Sequence, residues 1–121
     1  GKLSAHALRV PTTKVSAIEL TVATEKTCTS EQINAALRAA SDGKLAGVLD
    51  CSLEPLASCD FAGEPASAIV DVKQTQVAAG KLAKILIWFD NEWAYASRMI
   101  DVALAWEQRI SQSSAPPREH A

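Results

Sequence analysis

The sequence predicts an α+β fold: a mixed, largely antiparallel sheet with helices packed on one face. Three observations carry this. Residues 15–24 alternate in the manner of a strand with one covered face: Val15, Ala17 and Glu19 point one way, Ser16, Ile18, Leu20 and Val22 the other. Leu82–Phe89 is an apolar run broken only by Lys84, as expected for a central strand covered on both faces. Two further segments carry apolar residues at helical spacing.

In chain order, residues 6–10 read as a short strand closed by Pro11, and residues 12–14 as a turn. The alternating strand of 15–24 follows, rich in β-branched residues. Thr29 begins a helix. Its hydroxyl can accept from the third helical amide, and Gln32 stands where its side chain can answer. Ile33, Ala36, Leu37 and Ala40 form one apolar stripe, Arg38 points away from it, and Gly43 supplies a left-handed stop. Residues 45–50 read as a short strand, 58–61 as an edge or loop segment, and Gly63-Glu64-Pro65 as a turn. Residues 67–72 and 74–77 read as strand, with a turn at Ala79-Gly80 before Leu82–Phe89. Asp90 or Asn91 caps a last helix with Glu92 near its positive end. Tyr95, Met99, Val102, Ala103, Trp106 and Ile110 give that helix a broad apolar stripe. Residues 1–110 form the domain, and 111–121, with Pro116-Pro117 and no periodicity, a flexible polar tail.

With 121 residues, 48% of them apolar, the chain suits one globular domain with a moderate core. Twelve basic and 14 acidic side chains leave no positive field for a phosphate backbone, so nucleic acid is not an expected partner. No apolar run reaches membrane-spanning length and no signal peptide is visible, which gives a cytoplasmic expectation and no membrane partner. Cys28, Cys51 and Cys59 are an odd set without C-x-x-C spacing, so a disulfide frame is not expected. Zinc would need four ligands at close spacing, and only His6 and His120 could assist; no metal site is expected. Free thiols are the plain reading of the cysteines, since a nucleophile would lack a neighbouring base.

The junction from Trp88 to Arg98 holds two tryptophans, Phe89 and Tyr95 beside Asp90, Asn91 and Glu92. A strand end that meets a helix start is a common ligand site. The Asn91 amide can donate and accept, which suits a cofactor carboxamide and equally suits helix capping. Tyr95 lies one turn later on the same face, placed either to cover a planar ligand or to pack in the core. Arg9, just before Pro11, can grip a phosphate or carboxylate in a fork, or serve as a surface ion-pair residue.

Several motifs occur together and in order. Gly1-Lys2-Leu3, Leu8-Arg9-Val10-Pro11-Thr12 and Val15-Ser16 are followed by Ser58-x-Asp60-Phe61 and Ser67-Ala68-Ile69-Val70-Asp71. The most specific is Trp88-x-Asp90-Asn91-Glu92-Trp93-x-Tyr95-x-x-Arg98. Over residues 1 to about 106 this resembles the phosphorylating glyceraldehyde-3-phosphate dehydrogenase family. Glu54-Pro55-Leu56, Ser67-Ala68-Ile69-Val70 and Asp71-x-x-Gln74-Thr75-Gln76-Val77 look closer to its erythrose-4-phosphate dehydrogenase branch.

The resemblance implies a partial catalytic domain, preceded in the family by a dinucleotide-binding domain. It implies an enzyme that uses NAD, or NADP, with a sugar-phosphate aldehyde and inorganic phosphate, and that forms homo-oligomers. By the same resemblance Arg9 helps hold the substrate phosphate, Asn91 contacts the nicotinamide amide and Tyr95 lies near the nicotinamide. The nucleophilic cysteine and its partner histidine would lie outside this chain, which therefore carries no catalytic residue of its own and is expected to be inactive alone. A stand-alone, inactive domain acting through protein–protein association is the alternative expectation. The chain departs from the family pattern at Lys14, where asparagine is usual, at Ala66 for a frequent histidine, at Ala94 for glycine, and at Ala96-Ser97 for a Ser-Asn pair.

Overall fold

The computed structural model describes residues 1–113. Its elements are β1 (Ser16–Ala23), α1 (Ser30–Ser41), β2 (Leu49–Ser52), a 3-10 helix (Ser58–Phe61), β3 (Ala68–Ala78), β4 (Leu82–Phe89) and α2 (Asn91–Ser113). The four strands form one sheet in the order β1-β4-β3-β2. β4 pairs antiparallel with both β1 and β3, whereas β2 and β3 run parallel. The sheet is thus mixed and largely antiparallel, with helix packed against one face, as the sequence predicts.

Alternation along β3 divides the core in two. Val70 and Val72 point to one face with Leu49 and Ile85, and Ile33, Leu37 and Ala40 of α1 cover them. Ile69, the neighbour of Val70, points to the other face and packs with Phe61 and Ala66. Val15, Leu56 and Trp88 close this second cluster, where the Phe61 and Trp88 rings stack with centroids 5.4 Å apart. The link from β2 to β3 therefore belongs to the face opposite α1. Ile18, Leu20 and Val22 of β1 stay exposed on the side of the sheet that α1 packs against.

The helix starts as expected. Gln32 N–H donates to Thr29 Oγ1 and Thr29 N–H to Gln32 Oε1, a complete capping box. It ends on Asp42, not on a left-handed Gly43; the positive φ falls at Gly47, inside the turn that leads to β2. Residues 45–48 are turn for that reason, and β2 begins only at Leu49. The two strand segments expected at 67–77 are one long strand, with its register against β4 shifted between Asp71 and Gln76. Asn34 of α1 donates to the Val72 carbonyl there at 2.9 Å. The hairpin from β3 to β4 turns through Ala79 (φ 50°) and Gly80 (φ 68°), and a Cβ on Gly80 would stand 2.8 Å from Thr27 Cγ2.

Two further expectations are corrected. Residues 6–10 form no strand; they are irregular and exposed, because no strand of the sheet offers them a backbone partner. The stripe of α2 is not core here: Tyr95, Met99, Val102, Trp106 and Ile110 are all exposed, and Ala94 is the helix's one buried residue. The helix continues to Ser113, and the remainder of the tail expected at 111–121 lies outside the described residues. No helix among the described residues is long and apolar enough to cross a membrane.

Candidate functional site at the β4–α2 junction

Asp90 organises the end of β4. It is 2% exposed, and its carboxylate accepts three backbone N–H groups. Glu92 and Trp93 donate to Oδ1 at 3.1 Å, which caps α2, and Gly63 donates to Oδ2 at 2.9 Å. Gly63 turns its N–H toward the carboxylate with φ +81°, a conformation that other residues adopt only with strain. The Gly63 bond, then the Trp93 bond, hold the Asp90 carboxyl below the usual carboxylate range; Lys14 and the Glu92 N–H add to this, and desolvation opposes it. One side chain thus locks the turn after the 3-10 helix, the end of β4 and the start of α2 together.

Since Asp90 is the cap, Asn91 is not. Asn91 is the first residue of α2, exposed, and its amide makes no hydrogen bond among the described residues. Tyr95 stands one turn further on at 68% exposure, so it is not core. Arg9 is exposed and makes no ion pair or hydrogen bond among the described residues. Each of the three side chains is therefore free of the structural role that could have explained it.

The structure brings Asn91 and Tyr95 together on one helix end. Arg9 comes from the other end of the chain, and what links its segment to that helix is Lys14. The Lys14 ammonium stands 3.9 Å from Asp90 Oδ2 and 3.6 Å from Glu92 Oε2. Two cavities, about 330 and 470 Å³, are lined respectively by the residues around Asp50, Cys51, Asp60 and Phe61 and by the outer half of α2. Neither includes Arg9, Asn91 or Tyr95.

Arg98 is the second anchor of α2. Its Nη1 donates to the Gly47 carbonyl at 2.7 Å and its Nη2 pairs with Asp101 at 2.9 Å. No local signal points to this carbonyl, which lies in a turn whose shape depends on Gly47. The cysteines stay apart as free thiols: Cys28 and Cys51 half-buried, Cys59 exposed. Asp60 is occupied in holding the 3-10 helix, accepting from Ala57 N–H at 2.7 Å, and Asp71 accepts from Lys73 N–H.

Comparison with known proteins adds an independent line. The family model described as "Glyceraldehyde 3-phosphate dehydrogenase, C-terminal domain" matches residues 1–91. "Glyceraldehyde-3-phosphate dehydrogenase 1" of Bacillus cereus is 46% identical over 103 residues, which cover 85% of this chain and 31% of that protein. The chain thus spans about a third of the length of this relative.

Proposed function

The chain belongs to the glyceraldehyde-3-phosphate dehydrogenase family through its C-terminal domain, and from that premise we propose that it is the part of a sugar-phosphate aldehyde dehydrogenase that grips the substrate phosphate and orients the nicotinamide. In this reading the catalytic cysteine and histidine lie outside residues 1–121. The observation that carries it is the division of labour at the start of α2. Asp90 takes the capping hydrogen bonds, which leaves the Asn91 amide unspent at a helix start among the described residues. An amide that donates and accepts matches the two functions of a carboxamide.

The residues therefore suit NAD or NADP, which when bound supplies the hydride acceptor. Asn91 would hold the carboxamide, and the exposed Tyr95 ring would cover a planar face. Arg9 would grip the phosphate, since a guanidinium offers paired donors to its oxygens. Holding both partners in register is the contribution of this segment to rate. The substrate is an aldehyde bearing a phosphate, with triose and tetrose phosphates as the two candidates. A direct comparison of kcat/KM separates them.

A second reading draws on the exposed apolar residues of α2, Met99, Val102 and Trp106 among them, which favour association with further protein. In that reading the chain acts as an inactive association domain, or as a subunit of a homo-oligomer.

The test is kinetic. In the natural full-length protein, Arg9→Ala should lower kcat/KM for a phosphorylated aldehyde by about tenfold or more, the loss expected for a hydrogen-bonded charge. The KM for NAD and the rate with an unphosphorylated aldehyde should hold. Equal activity on both aldehydes, unchanged by the substitution, rejects the phosphate role.

A further inference from the structure

We infer that Lys14 is a positioning residue, whose ammonium clamps the segment bearing Arg9 onto the start of α2 and so fixes the guanidinium relative to Asn91. This rests on the reading of Arg9 as the phosphate grip.

The segment between the two residues is short and internally tied. Pro11 fixes one backbone angle. Thr12 N–H donates to the Val10 carbonyl at 2.8 Å, and Thr12 Oγ1 donates to the Lys14 carbonyl at 3.0 Å. Immediately beyond Lys14 the chain is anchored, because Val15 packs in the Phe61 cluster and Ser16 pairs with Phe89. What happens at Lys14 is therefore passed to Arg9 through a turn held by one proline and two hydrogen bonds.

The other end of the clamp is firm. Asp90 is buried and held by three backbone donors, while Glu92 is exposed at 76% and free to follow the ammonium. A cation beside the positive end of a helix is unfavourable unless carboxylates offset it. Lys14 meets two of them, and its side chain is half exposed. Without the ammonium, no ion pair would join residues 1–14 to α2 among the described residues. Arg9 would then sample positions from which it cannot reach the phosphate, and substrate binding would weaken with no group lost from the substrate contact itself.

The experiment compares Lys14→Met, Lys14→Arg and Arg9→Ala in the natural full-length protein at low and high salt. Lys14→Met should raise the KM for the phosphorylated aldehyde by about threefold at low salt, the scale of a half-exposed ion pair. The KM for NAD and the melting temperature should stay near those of the parent, and Lys14→Arg should restore the lost affinity. The difference between Lys14→Met and the parent should shrink as salt screens the pair. If Arg9→Ala raises the aldehyde KM and Lys14→Met does not, the clamp is overturned and the phosphate grip stands. If neither moves it, both fall. If Lys14→Met lowers the melting temperature and raises both KM values together, the residue is merely structural and the inference is overturned.

Discussion

Arg98→Ala should loosen α2 while leaving the sheet intact. Besides the Asp90 cap, the buried Ala94 and the exposed Lys14–Glu92 pair, the Arg98 side chain ties this helix to the rest of the chain. Its bond to the Gly47 carbonyl, 2.7 Å long and made by a charged donor on a side chain 27% exposed, is of a kind worth about 1.5–3 kcal/mol. The pair with Asp101 lies on the same helix and adds only about 0.2–0.5 kcal/mol. Against these stands the Arg98 Nε, buried without a partner among the described residues, whose removal returns part of the loss. The bond to Gly47 dominates, and the net is about 2 kcal/mol, or about thirtyfold in a local opening equilibrium. Hydrogen exchange of the parent and the variant measures this directly. Amides of α2 should exchange about thirtyfold faster in the variant, and those of β3 and β4 at unchanged rates. Equal acceleration throughout would mean that α2 and the sheet open as one unit, and would refute the view of Arg98 as a local anchor.

Three other substitutions or reagents probe neighbouring parts of the account. The Asp90 carboxyl is held below the ordinary Asp value of about 3.9, so its contribution to stability is complete above that pH and is lost as the pH falls through its lower folded value. Asp90→Asn should flatten that acid limb of the stability–pH curve, and an unaltered limb measured by circular dichroism would contradict the assignment. Gly80→Ala should lower stability by about 1–2 kcal/mol in urea titration, because the new methyl meets Thr27 at a residue with positive φ; no change in midpoint would show that the hairpin adapts. A thiol reagent followed by mass spectrometry should label exposed Cys59 before half-buried Cys51, whose thiol is pushed up by burial, with Asp50 adding to this and Arg38 opposing it; the reverse order would contradict the packing on α1.

Much of the fold is legible in the sequence because the signals are local. The Thr29–Gln32 capping box, the alternation of β1 and the apolar run of β4 each fix an element from its own residues. What escaped depends on distant partners. Residues 6–10 have a strand-like composition but no strand beside them, and composition does not report a missing neighbour. Residues 45–48 look extended until Gly47 is seen to turn the chain. The apolar stripe of α2 reads as core because periodicity reveals an apolar face but not what covers it.

The site divides in the same way. Arg9, Asn91 and Tyr95 stand out by residue type and by their motifs. The choice between Asp90 and Asn91 as cap was not readable, since both suit a helix start and the decision comes from Gly63. Lys14 carried no sign of its role either: its carboxylate partners lie at the other end of the chain, and only the fold brings them within 4 Å.

The most direct test is a crystal structure of the natural full-length protein with NAD and a sugar phosphate bound. Such a structure should show one cleft in which the Arg9 guanidinium lies about 3 Å from phosphate oxygens and the Asn91 amide about 3 Å from the carboxamide. Arg9 and Asn91 on opposite faces of the sheet, each remote from both ligands, would contradict it.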